Sequence, residues 1–276
     1  PSCRASRTAS SIFCKSTTMA DWNPALYSRF EDERTRPARE LLARVPLADA
    51  KHVVDLGCGP GNSTELLVQR YPDAEVVGVD NSPAMLESAR QRLPGTRFEL
   101  ADIATWQPAQ APDLIYANAA LQWVPGHEQL FPRLFSLLSP GGVLAVQTPD
   151  NWNEPSHRLM REVAQLPAFA PAIGDPSRLR VGRLPLESYY DFLARDAEEI
   201  DAWHTIYQHR MDAPAAIVEW VSATGLKPFV APLDAPQRAA YLAEYERRIA
   251  AAYPQRVDGK LLLAFPRLFI VARRKA

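Results

Sequence analysis

Residues 53–64, VVDLGCGPGNST, set three glycines within five positions directly after an apolar run. Such a loop lets bare backbone approach a ligand, and it commits the flanking chain to strand, tight turn and helix. Which ligand it meets is decided by what surrounds the glycines. A phosphate-cradling loop needs G-x-x-x-x-G-K-[ST], and the lysine is missing. A dinucleotide fingerprint needs G-x-G-x-x-G, whereas Gly57, Gly59 and Gly61 are one residue tighter. Asp55 just ahead of them is a poor neighbour for a pyrophosphate. It suits a ligand that carries an ammonium group and a sulfonium.

Alternating strand and helix signals continue through the first half. Apolar runs predict strands at 52–56, 74–80, 96–102, 112–118 and 142–149. Asn62, with Glu65 three residues on, predicts a capping box for the first following helix. Ser82 and Pro83 predict the cap and first turn of the next, whose apolar stripe is Met85, Leu86, Ala89 and Leu93. A helix is expected at 128–138. This alternation implies a parallel, doubly wound sheet. Ligands in such sheets bind at the carboxyl ends of strands, and Asp55, Asp80 and Asp102 all fall there. Asp80, nineteen residues past Gly61, is placed to bond a ribose diol, and Asp102 lies where an adenine edge would sit. Together these features point to S-adenosylmethionine. On the residues alone, an NAD-dependent oxidoreductase and a non-catalytic S-adenosylmethionine-binding protein are the rival classes.

The second half changes character. Helices are expected near 156–165, 186–194, 215–224 and 237–253, with long strands at 199–211 and 261–275; Pro266 in the last marks a bulge or a sheet edge. With 47% hydrophobic residues the chain can bury a core, and its net charge of −1 gives no reason to expect a nucleic-acid or membrane surface. No apolar run approaches the about 18 residues of a bilayer span. Residues 1–18 are Arg- and Ser-rich without an acid, and are read as a disordered leader outside the native domain. Cys3 and Cys14 lie in that leader, so only Cys58 remains in the body and no disulfide framework is expected, in keeping with a reducing cytoplasm.

From Met19 onward the chain resembles the class I S-adenosylmethionine-dependent methyltransferases, and within them the trans-aconitate 2-methyltransferase family. The glycine motif carries only the wider resemblance. The narrower one rests on DWNPALYSRF, RPARELLARVPL, NAALQWVPGHEQLF, LSPGGVLAVQTPDNWNEPSH and LLLAFPRLFIVARRK. It implies a Rossmann-like, mostly parallel seven-stranded sheet with helical substrate-cap insertions. Residues 19–276 would form one methyltransferase domain, with a cofactor half to about 150 and a substrate half beyond.

The implied reaction converts a carboxylate of trans-aconitate into its monomethyl ester and leaves S-adenosylhomocysteine. Another small carboxylic acid or an acyl-carrier thioester is the alternative substrate. A carboxylic acid of pKa about 4 is already ionised at pH 7, so no general base is expected. The cofactor set implied is Asp55, Gly57, Cys58, Gly59, Gly61, Asp80, Asn81, Asp102, Ile103 and Asn118, with Cys58 a small turn residue and not a nucleophile. Trp123 is expected near the transfer centre. A trianion needs cations and donors, for which Arg183, Arg267, Tyr189, Tyr190, Trp123 and Tyr27 are the candidates, with His157, His204 and His209 behind them. Tyr189 and Tyr190 diverge by about 100° on a helix, so one of the two belongs to the core. No metal, nucleic acid, membrane or obligate protein partner is expected.

Overall fold

The computed structural model describes residues 31–179, 184–222 and 224–276, with the side chains of residues 31–34 and 178 also outside the description. The leader, Tyr27 and Arg183 therefore lie outside the described residues.

Helix α1 (Glu31–Leu42) precedes the sheet. Then come β1 (His52–Leu56), α2 (Asn62–Arg70), β2 (Glu75–Asp80), α3 (Pro83–Arg92), β3 (Arg97–Leu100) and β4 (Leu114–Asn118). A single 3-10 turn (Leu121–Trp123) leads to α4 (His127–Ser136) and β5 (Val143–Pro149). The second half holds α5 (Pro155–Ala164), α6 (Leu186–Ala194), β6 (Ala197–Met211), α7 (Pro214–Ser222), α8 (Ala235–Ala252) and β7 (Leu261–Arg274), with single-turn helices between. The seven strands lie in the order β3-β2-β1-β4-β5-β7-β6. The first five pair in parallel, and β7 runs antiparallel between β5 and β6. This is the doubly wound, mostly parallel sheet that the alternation predicts. Among the described residues no helix is long and apolar enough to cross a membrane.

Local chemistry accounts for most element boundaries. Ser82 Oγ accepts the Met85 N–H and Pro83 opens α3, as the sequence implies. One expected cap is corrected. Asn62 does not cap α2: Gly61 takes that position at φ 91°, a left-handed conformation glycine adopts without penalty, and Asn62 becomes the first helical residue. Pro266 marks a local edge, as expected, because β5 pairs with β7 only as far as Arg267 and residues 261–266 pair with β6 alone among the described strands. Its carbonyl accepts the Asp150 N–H, just past the end of β5, so its missing donor faces that side and leaves the β6–β7 ladder whole. In α8 a capping box forms, but at Asp234 and Gln237, which starts the helix two residues before the expected position.

One apolar core lies between the sheet and α4 and α6, and a second lies between the opposite face and α1 and α2. A third gathers α5, α7 and α8 against the amino-terminal part of β7. The site opens where these cores meet, beyond the carboxyl ends of β1, β2, β4 and β5.

Candidate active site

The glycine loop is tied to β2: the Gly57 and Cys58 N–H groups both donate to the Val79 carbonyl, at 2.7 and 3.0 Å. Gly57 has φ 71°, and a Cβ there would come within 2.2 Å of Ala120 Cβ, so no side chain fits. Asp80 closes the loop from the other side. Its Oδ2 accepts the Gly59 N–H and its Oδ1 the Ser82 N–H, both at 2.9 Å. Each carboxylate oxygen keeps capacity for a further donor.

A cavity of about 510 Å³ runs from this loop across the ends of β4 and β5 to β7. Of the expected cofactor residues, Gly57, Gly59, Asp80, Asn81, Asp102, Ile103 and Asn118 line it. Asp102 lies two residues beyond β3, where its Oδ1 accepts the Ala104 N–H. Arg133 of α4 holds that turn by donating to the carbonyls of Ile103 and Trp106, at 2.5 and 2.7 Å. Asn118 Oδ1 is buried and has no hydrogen-bond partner among the described residues.

Three expected cofactor residues stand behind the loop instead of in the cavity wall. Gly61 is used for the entry to α2. Cys58 is buried, and burial pushes its thiol well above the usual range, so it stays protonated. Asp55 is fully buried beneath the loop, where Ser63 and Thr64 hydroxyls each donate to Oδ2 at 2.7 Å. Its Oδ1 has no partner, and burial raises its pKa to about 6 against those two bonds.

At the far end the cavity is lined by Trp123, Asn151, His157, Trp220, Phe265 and Arg267, among others. Arg267 is only 4% exposed. Its Nη1 donates to Gln147 Oε1 at 3.1 Å, and its guanidinium lies 5.0 Å from the centre of the Phe265 ring. The structure places the other substrate candidates elsewhere. Tyr189 is core: its hydroxyl lies 2.7 Å from His127 Nδ1 and its ring packs on Phe131. Tyr190, half exposed, points off the opposite side of α6. His204 Nε2 pairs with Asp150 at 2.8 Å, away from the cavity. His209 packs on Trp220, 4.6 Å between ring centres, and burial next to Arg267 lowers its pKa to about 4.

Gln122, Asn151, Trp220 and Phe265 are cavity residues that the sequence reading did not single out. Asn151 was findable, because it follows β5 directly and ligands sit at carboxyl strand ends. Ala119 is the one described non-glycine residue at positive φ, 54°, and it lines the cavity with its carbonyl accepting the Gln122 amide at 2.5 Å. Backbone held in that region concentrates at functional sites. The two ends of the cavity thus differ in charge, with carboxylates around the glycine loop and a guanidinium with neutral donors beyond β5.

A methyltransferase-domain family model matches residues 53–142. A trans-aconitate 2-methyltransferase from Variovorax paradoxus (strain S110) is 70% identical over 259 residues, which is 94% of this chain and 100% of that protein. The chain belongs to the trans-aconitate 2-methyltransferase family. Another family member, from Paracidovorax citrulli (strain AAC00-1), is 67% identical over 94% of this chain and 100% of its own length. The fold of the family is shared more widely. The YcgJ protein of Bacillus subtilis superposes with a TM-score of 0.56 over 87% of this chain and 99% of its own, at 12% identity.

Proposed function

We propose that this chain is an S-adenosylmethionine-dependent O-methyltransferase that esterifies one carboxylate of trans-aconitate, releasing the monomethyl ester and S-adenosylhomocysteine. The observation that carries the reading is the single continuous cavity, carboxylate-lined at the glycine loop and guanidinium-lined at β7. A cationic cofactor and a polyanionic substrate sort themselves to its two ends by charge alone. Membership of the family supplies the substrate.

The residues fit the cofactor. The bare backbone at Gly57 and Gly59, the half-buried Asp80 and the buried, unpartnered Asn118 Oδ1 form a cradle of acceptors with no basic side chain among them. Asp80 would hold the ribose hydroxyls, and Asp102 with Ile103 would border the adenine. When bound, S-adenosylmethionine supplies a methyl group activated by a sulfonium.

The chain itself needs no nucleophile and no general base, because the attacking carboxylate is already ionised. Its work is placement and desolvation. Arg267 grips a non-reacting carboxylate, held in turn by Gln147 and by the Phe265 ring. Trp123, on the 3-10 turn after β4, lines the substrate side of the cavity and would keep water from the transfer centre. The reading includes a small tricarboxylate as the only partner, without nucleic acid or an obligate protein, and a cytoplasmic setting in which the buried Cys58 thiol stays reduced.

The test is incubation with S-adenosylmethionine and a panel of di- and tricarboxylates, followed by mass spectrometry. A gain of one methyl group on trans-aconitate is expected. No product from any free acid, with cofactor still bound, would shift the substrate to a carrier-bound thioester.

A further inference from the structure

We propose that Asn151 and His157, flanking the amino end of α5, form a second carboxylate subsite that lets this chain prefer a tricarboxylate over a dicarboxylate. The inference rests on the reading above and deepens it. Arg267 can take one non-reacting carboxylate of a trianion, and the other needs its own donors.

Asn151 is 4% exposed and lines the cavity, yet no described residue hydrogen-bonds its carboxamide. Its amide is therefore left to meet whatever fills the cavity, and it can donate there to a carboxylate. His157, equally buried, lines the same wall, with its Nδ1 fixed 3.0 Å from Ser156 Oγ. The first turn of α5 is rigidly mounted. The Ser156 N–H donates to the Tyr253 hydroxyl at 3.0 Å, and the Ser156 carbonyl accepts the Tyr245 hydroxyl at 2.6 Å. The positive end of the helix field adds to the pull on an anion. Glu154, the residue just before α5, does not line the cavity, and burial raises its pKa from the ordinary carboxylate value.

Phe265 sets the spacing between the two subsites. His157 meets its ring edge-on at 6.3 Å between centres, and the Arg267 guanidinium stands 5.0 Å from the same ring. Both groups thus pack on one ring in one cavity wall, so a molecule with two non-reacting carboxylates can meet one with each arm. A dicarboxylate fills only the Arg267 side.

The test uses Asn151→Asp, which keeps the shape of the side chain but replaces its donor with a negative charge, and His157→Gln. Dissociation constants for trans-aconitate and for fumarate, a dicarboxylate probe, are measured by calorimetry on the full chain saturated with S-adenosylhomocysteine. Each variant is expected to weaken trans-aconitate tenfold or more while fumarate affinity stays within about threefold and melting temperature is kept. Unchanged trans-aconitate affinity overturns the subsite. So does a parallel loss for both acids, which means general distortion of the wall. Wild-type protein that binds no tricarboxylate overturns the functional reading instead.

Discussion

Asp80 receives the Gly59 and Ser82 N–H groups and still faces the cavity, so one carboxylate both shapes the loop and grips its ligand. Charge-assisted hydrogen bonds contribute about 1.5–3 kcal/mol each, so Asp80→Ala should weaken S-adenosylmethionine binding at least about tenfold by calorimetry. Unchanged binding would remove Asp80 from the site. Asp55 acts differently, through its field. Its pKa of about 6, raised from 3.8, means the native state keeps a proton that the unfolded chain releases between about pH 4 and 6. This group's contribution to stability therefore falls as pH rises through that window. A cationic ligand favours the ionised form, so cofactor affinity should rise between pH 5 and 7 in the wild type and stay flat across that range in Asp55→Asn. At this scale the acids were legible, because strand ends and glycine spacing are local patterns. Their depth was not: Ser63 and Thr64, both in the first turn of α2, draw Asp55 beneath the loop and out of the cavity wall.

Among elements, the 3-10 turn that carries Gln122 and Trp123 is held from behind by a relay. His127 Nε2 lies 2.8 Å from the Leu121 carbonyl, which can only accept, so Nε2 bears the proton. The neutral ring then accepts at Nδ1 from the Tyr189 hydroxyl of α6. Tyr189→Phe should remove that bond, costing about 1 kcal/mol and lowering the melting temperature by a few degrees. Cofactor affinity should change little, since the glycine loop is untouched; a variant as stable as the wild type would show that the relay bears no load. The seven strands and the helices that were expected lie within a few residues of their predicted bounds, since periodicity and caps are written locally, but α1 (Glu31–Leu42) was not expected at all. That one of Tyr189 and Tyr190 is core was expected, but not which, because the partner of Tyr189 is 62 residues away and only packing against α4 brings the two together. The place of β7 between β5 and β6 was likewise hidden, since the edge signal of Pro266 applies only to the part of β7 that outruns β5.

At the scale of the whole molecule, one strand links the apolar cores. On β7, Leu261, Leu263 and Phe265 enter the core of α5, α7 and α8, whereas Leu268 to Ala272 enter the two cores flanking the sheet. Arg267 falls at the change-over, where it is both buried and part of the cavity wall. The change of pattern near residue 150 was visible in the sequence, but the pairing of Arg267 with Gln147, 120 residues apart, is a consequence of register between β5 and β7. Residues 1–18 carry few apolar side chains, and their deletion should leave activity and melting temperature unchanged in a thermal scan and steady-state assay. Arg267→Lys is the sharper experiment. It keeps the charge but loses the planar fork and the flat contact with Phe265, so it should not behave as a conservative change. An increase of about tenfold or more in KM for trans-aconitate is expected, with kcat falling too if the grip aligns the reacting carboxylate. Cofactor affinity should hold, since Asp80 and the loop lie at the other end of the cavity. Arg183→Lys belongs beside it, because Arg183 was the other guanidinium the sequence offered. A defect confined to Arg183→Lys would move the anchor from β7 to the segment before α6, and two unaffected variants would leave the anion to the neutral donors around Asn151.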